Sequence, residues 1–240
     1  MSLSYVHLSE PPTISAADGR SLSDQVYEYL VSQIIRGRIA YGERLNIKQI
    51  ATNLNISAIP IRDAIKRLEQ ENLVVVLPRS HCYVRVPTKQ AILSAISARR
   101  MIELFAVREA IPRVSSVELE GLQAIVDQMR PMAQDDRPDE DRNAISDYIE
   151  LDRQFHTELC ALSHNEYLVR FYREISMHLS MSFSYGIGVC HGIHATFVEH
   201  EAILDHLRSN SAEAERILEH HLLHSRENIV TEQRFRALPD

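Results

Sequence analysis

The chain has 240 residues, 45% of them hydrophobic, with seven glycines and a formal net charge of −7. That length allows two domains of ordinary size, and that composition excludes a disordered or low-complexity chain. No apolar run approaches the roughly 18 residues of a membrane span and no signal peptide is visible, so a cytoplasmic protein with no membrane partner is expected. The three cysteines at 82, 160 and 190 are odd in number and lack close spacing, which points to free thiols in a reducing compartment.

Residues 1–20 carry Pro11-Pro12 and no apolar period, and read as a flexible tail. Ser21 or Ser23 caps a first helix over about 23–36, and Gly37 stops it. Ile47, Ile50, Ala51 and Leu54 repeat at the spacing of an amphipathic helix. Asn55-Ile56 is a turn, and Ser57 is the N-cap of a third helix with Ile61, Ala64, Ile65 and Leu68 on its inner face. Pro60 falls in the first turn of that helix, where a missing N–H costs nothing. The helix ends near Glu71-Asn72, since Asn tolerates the left-handed conformation. Residues 73–77 and 82–86 read as two strands joined by the turn Pro78-Arg79-Ser80-His81. Two helices about a tight turn followed by a β-hairpin make a winged helix-turn-helix over 21–87, its last helix suited to a major groove.

From residue 88 strands disappear. Helical segments are predicted at about 88–113, 116–134, 142–163, 165–186, 192–208 and 211–235, with breaks at Pro112, Pro131 to Pro138, His164-Asn165, Gly186 to Gly188 and Ser209-Asn210. The expected fold is therefore mainly α: a winged helix with a small β-hairpin wing, then an all-α antiparallel bundle over 88–240. Charge divides the same way. Residues 21–87 hold nine Lys/Arg against six Asp/Glu, or +3, and residues 88–240 hold sixteen against twenty-five, or −9. A basic excess on the winged helix suits duplex DNA, and an acidic remainder opposes indiscriminate binding to phosphates. The residues expected at DNA are Lys48, Ser57, Arg62, Lys66 and Arg79, with Arg62 on the reading helix and Arg79 on the wing.

Ten of the twelve histidines lie between 156 and 224. Asp152 and His156 are i, i+4, on one helix face flanked by Ile145, Ile149, Leu159 and Cys160. His200 lies ten residues before the turn at Asn210 and His221 eleven after, so in an antiparallel hairpin they stand level, roughly 15 Å from the bend. Four inward polar groups are expensive unless paired or bound to an ion. Spacing alone leaves two readings open: an Asp/His surface pair, or one divalent ion, Zn²⁺ or Ni²⁺ by ligand type, held by Asp152, His156, His200 and His221. His164, His178, His206 and His224 read as surface or core-edge residues, while His191 and His194 flank a glycine-rich turn within reach of the pocket.

Ser57-x-x-Pro60-Ile61-Arg62-Asp63-Ala64-Ile65-x-x-Leu68-Glu69-x-Glu71-Asn72-Leu73-Val74, preceded by Ile35-Arg36-Gly37-Arg38-Ile39-x-x-Gly42-Glu43-Arg44-Leu45, resembles the DNA-binding signature of GntR-type bacterial regulators. The family usually has Arg-Thr where this chain has Ala58-Ile59, and Gly near Asn72 and His81, so one expected DNA contact is missing. Asp152-x-x-x-His156, Glu199-His200-x-x-Ile203-Leu204 and His221-Leu222 resemble the FCD ligand-binding domain of FadR-type members, in whose metal-binding representatives Asp152, His156, His200 and His221 match the ligand positions. The interval from His200 to His221 is a residue shorter than usual, and His220 is adjacent. Arg99 matches the Arg that faces the cavity in FCD proteins and holds an effector carboxylate; pairing with Glu103 four residues on is the competing reading. The resemblance implies a homodimeric repressor or activator, not an enzyme, binding an operator and a small carboxylic acid. Two rivals are a metal-dependent hydrolase or lyase with a regulatory head, and a sensor of the metal itself.

Overall fold

Ser21 caps the first described helix by accepting a hydrogen bond from the Asp24 N–H, and α1 runs from Leu22 to Ile35. A computed structural model of the chain describes residue 14 and residues 19–78, 81–134, 142–184 and 193–240. The predicted tail, except residues 14, 19 and 20, together with Arg79, Ser80, residues 135–141 and residues 185–192, lies outside the described residues. Two compact units divide the chain, Met1–Val86 and Pro87–Asp240.

In the first unit α1 ends before Gly37, whose φ of 65° is a left-handed stop. Asn46 caps α2 (Ile47–Leu54) by accepting from the Lys48 and Gln49 N–H groups. Asn55, at φ 51°, turns the chain into α3 (Ala58–Gln70), and Asn72, at φ 58°, turns it out again. Ser57 stands at the N-cap of α3 but its hydroxyl makes no capping bond. The apolar stripes Val26, Leu30 and Ile34 of α1 and Ile61 and Leu68 of α3 are at most 1% exposed, so the two helices bury each other's inner faces. The wing is β2 (Val74–Leu77) antiparallel to β3 (His81–Val84), with Val75 opposite Tyr83. A strand the sequence did not announce, β1 (Arg44–Leu45), adds to the other edge of β3 in the order β1-β3-β2. Two residues carry no period, and the Cys82 thiol donates to the Leu45 carbonyl across that pairing.

The second unit is helical among its described residues: α4 (Lys89–Ala110), α5 (Ser116–Ala133), α6 (Arg142–Ala161), α7 (Glu166–Ser184), α8 (Ile193–Arg208), α9 (Glu213–Thr231) and α10 (Gln233–Arg236). Its main buried cluster draws side chains from α4, α5, α6, α8 and α9, including Val107, Val126, Phe155, Leu159, Ile203 and Leu218. His164 (φ 53°) and Asn210 (φ 49°) supply the left-handed turns expected at those breaks. α5 ends at Ala133, close to its predicted end at 134, and carries Pro131 in its last turn. Proline removes one N–H bond so near the end, and Met129 and Ala133, buried in the shared core, hold the turn closed. The helix predicted over 211–235 breaks at Glu232, which is extended, before α10. On an unbroken helix Phe235 would stand about 120° round from Ile229. The break lets Phe235 and Leu238 join Ile229 against Ile92, Ile96 and Leu179.

Candidate metal centre and DNA-reading face

Asp152 and His156 stand one turn apart on α6, His200 on α8 and His221 on α9, and α8 packs along α9. One ligand atom from each lies within 4.8 Å of the others. His156 Nε2 is 3.3 Å from His200 Nε2 and 3.2 Å from His221 Nε2. Asp152 Oδ1 is 3.7 Å from His156 Nε2 and 3.5 Å from His200 Nε2. Four ligands about 2.1 Å from a tetrahedral ion stand about 3.4 Å from one another. His156 and His200 are fully buried and His221 is 2% exposed.

Carboxylates behind the rings fix what the rings present. Fully buried Glu103 of α4 lies 2.7 Å from His156 Nδ1 through Oε2. Glu199 of α8 lies 2.8 Å from His221 Nδ1 through Oε2. A ring that donates its Nδ1–H to a carboxylate keeps Nε2 as a bare lone pair, the metal-binding tautomer. Two such lone pairs 3.2 Å apart repel unless a cation lies between them. Burial, then the Arg99 charge, pushes His156 well below its ordinary 6.5, and burial with His221 beside it does the same to His200. Both rings are thus neutral, as ligands must be. The His200 ring stacks on Phe155 at 4.2 Å, and its Nδ1 has no hydrogen-bond partner among the described residues. The donor set, three imidazoles and a carboxylate in a shell of tetrahedral spacing, fits a divalent ion of the Zn²⁺ or Ni²⁺ kind.

A cavity of about 530 Å³, including solvent at its mouth, opens beside these residues. Asp152, His221, Glu199, His224 and Arg99 line it, with Tyr148, Ile149 and Phe183 as apolar walls. Arg99 gives Nε to Glu103 Oε1 at 2.6 Å, so the pairing weighed from the sequence is present, yet Arg99 also lines the cavity. Its Nη2 is buried with no partner among the described residues. Burial works against the Arg99 charge, but the Glu103 carboxylate outweighs it and holds the group above its ordinary value. Burial raises Glu103, with Arg99 opposing.

In the first unit Lys48, Ser57, Arg62 and Lys66 are all exposed. Arg62 and Lys66 share the outer face of α3, opposite the buried Ile61, Ala64, Ile65 and Leu68. Arg79 lies outside the described residues.

Residues 94–224 match the FCD domain, and residues 22–84 match the family described as bacterial regulatory proteins, gntR family. The chain belongs to the gntR family. The Nta operon transcriptional regulator of Aminobacter aminovorans is 29% identical over 135 residues, 56% of this chain and 60% of that protein. The HTH-type transcriptional repressor RspR of Escherichia coli is 25% identical over 59% of each chain. These matches therefore span about three fifths of the relatives' length. A solved structure of E. coli McbR/YncC superposes with a TM-score of 0.74 at 20% identity, covering 88% of this chain and 98% of that one. A gntR regulator structure from Rhodococcus sp. RHA1 gives 0.72 at 22%, covering 90% and 100%. Both share the fold: a winged helix followed by a helical unit.

Within this gntR-family chain the histidine assignment next to His220 resolves by burial. His221 points into the cluster, while the His220 side chain is 77% exposed. His194 is exposed with Nδ1 3.3 Å from the Ala133 carbonyl, and His191 lies outside the described residues. His224, read from the sequence as surface or core-edge, instead lines the cavity with Nδ1 2.9 Å from Glu199 Oε1. Its signal was present: it stands three residues after His221, on the same helical face. Of the carboxylates behind the ligands, Glu199 carries no role in the sequence reading, and Glu103 figures there only as the partner of Arg99. Cys82 and Cys160 are free and buried as expected, and Cys190 lies outside the described residues. No described helix is long and apolar enough to cross a membrane.

Proposed function

We propose that this chain is a DNA-binding transcriptional regulator of the FadR-type branch, working as a cytoplasmic homodimer. Its helical unit holds one divalent ion, Zn²⁺ or Ni²⁺, on Asp152, His156, His200 and His221. The ion and Arg99 together hold a small carboxylic acid whose binding changes the affinity for operator DNA. The observation that carries the effector reading is the unpartnered Nη2 of Arg99 in the wall of the cavity that Asp152 and His221 also line. A buried guanidinium N–H without an acceptor is costly, and a ligand carboxylate supplies one. The bound ion would supply Lewis-acid attraction for the same ligand.

Lys48, Ser57, Arg62 and Lys66 form the DNA face, with Arg79 expected beside them on the wing. The two relatives' printed names, an operon regulator and a repressor, support this use of the first unit. One winged helix reads only a short half-site, so two copies are needed. Exposed Met101 and Phe105 on α4, and Tyr167 and Phe171 on α7, which packs against α4, give the second unit apolar surface for a second copy. The test is binding of the full chain to duplexes selected from a random library, titrated with pooled carboxylic acids with and without Zn²⁺ or Ni²⁺. Operator affinity should change only when acid and metal are both present. A change with metal alone would make the chain a metal sensor, and turnover of an acid would make it an enzyme.

A further inference from the structure

Ile59 stands in the first turn of α3 and is 68% exposed, among the most exposed large apolar side chains described. Its neighbours Pro60 and Ile61 are buried and fix the turn. At 100° per residue Lys66 lies about 20° and Arg62 about 60° from Ile59 around the helix. Asp63 is the acid on the same face. One branched apolar side chain thus projects among the cations of the helix proposed to enter a major groove. The groove offers a single apolar group, the 5-methyl of thymine, and aliphatic side chains read it by contact. A protein partner fits less well, because isolated apolar residues ringed by charge give little area to bury.

We infer that Ile59 is a specificity-determining residue that packs against one thymine methyl in each operator half-site. This rests on the regulatory reading above, and the test separates the two. Full-length protein selects its preferred duplex from a random library, and each thymine is then replaced in turn by deoxyuridine, which lacks only the methyl. At one thymine per half-site the replacement costs about four-fold in affinity, the equivalent of about 0.8 kcal/mol for one buried methyl. Ile59→Ala, which removes the contact in both half-sites, loses about the square of that factor, roughly 15-fold, on the thymine duplex and no longer distinguishes thymine from uracil at that position. Ile59→Val, which keeps a branched side chain, retains part of the distinction. An unchanged melting curve for both variants shows that the exposed position leaves the fold intact. If wild type and Ile59→Ala bind the selected duplex with the same thymine-to-uracil ratios at every position, Ile59 does not read a methyl, and the regulatory reading stands. If no duplex is enriched, the regulatory reading fails and this inference with it.

Discussion

Loading the proposed metal site should stabilise the protein by an amount set by the free ion concentration relative to Kd. Without a cation, His156 Nε2 and His221 Nε2 face each other as lone pairs at 3.2 Å, and His200 Nε2 lies 3.3 Å from the first. The folded protein then holds a preformed shell that the unfolded chain lacks, so metal binding adds directly to folding stability. At a free ion concentration of 100 times Kd the gain is about 2.7 kcal/mol. For a chain of this size about 1 kcal/mol moves Tm by about 2–4 °C, so the shift should be about 5–11 °C. The assay is thermal unfolding of untagged protein stripped by chelator, then titrated with Zn²⁺, Ni²⁺, Mn²⁺ or Co²⁺, alongside its metal content as purified. The double variant His156→Ala/His200→Ala should start lower and show no shift. A wild type that carries no metal and does not move with any of the four ions would refute the reasoning, leaving the four residues as a hydrogen-bonded polar cluster.

Replacing exposed Arg62 by Ala should cost about 1–3 kcal/mol of specific DNA affinity, measured by titration of the selected duplex; equal affinity in a folded variant removes Arg62 from the interface. Met101→Asp with Phe105→Asp, on the exposed face of α4, should convert a dimer to a monomer by light scattering at micromolar concentration, and an unchanged mass places the contact elsewhere. Glu118 is held down to about 2, chiefly by its hydrogen bond with His164 and then by Ser115. A depressed carboxylate contributes stability that is present above its ordinary 4.5 and lost as pH falls through about 2. Glu118→Gln should therefore flatten that part of the acid unfolding curve, by a small amplitude because solvent screens the pair.

The strongly periodic elements were legible because each has one face to bury. Ile61, Ala64, Ile65 and Leu68 define α3 and are all buried. The cluster was legible for a related reason: a polar group on an apolar stripe is conspicuous, and His200 and His221 could be placed level from the turn between them. Their rings stand 4.9 Å apart. What escaped depends on tertiary contact. The end of α9 is set by where Phe235 must go, which its own neighbours do not encode. Glu103 is 53 residues from the histidine it orients, and nothing local couples it to that ring.

On the proposed reading, Glu103 also couples metal and effector. Its Oε1 takes the Arg99 Nε–H and its Oε2 takes the His156 Nδ1–H, so one buried carboxylate orients both the proposed anion-binding group and a proposed metal ligand. An acid that draws on the Arg99 charge weakens the hold of Arg99 on Glu103, and Glu103 then accepts more strongly from His156. A carboxylate that accepts more strongly makes the imidazole a better donor to the ion. Bound ion and bound acid therefore favour each other, and by linkage each must raise the other's affinity by the same factor. The competing description, two independent sites in one cavity, requires those factors to be one. Buried side chains that share an oxygen-bearing group within 3 Å of each partner do not act independently.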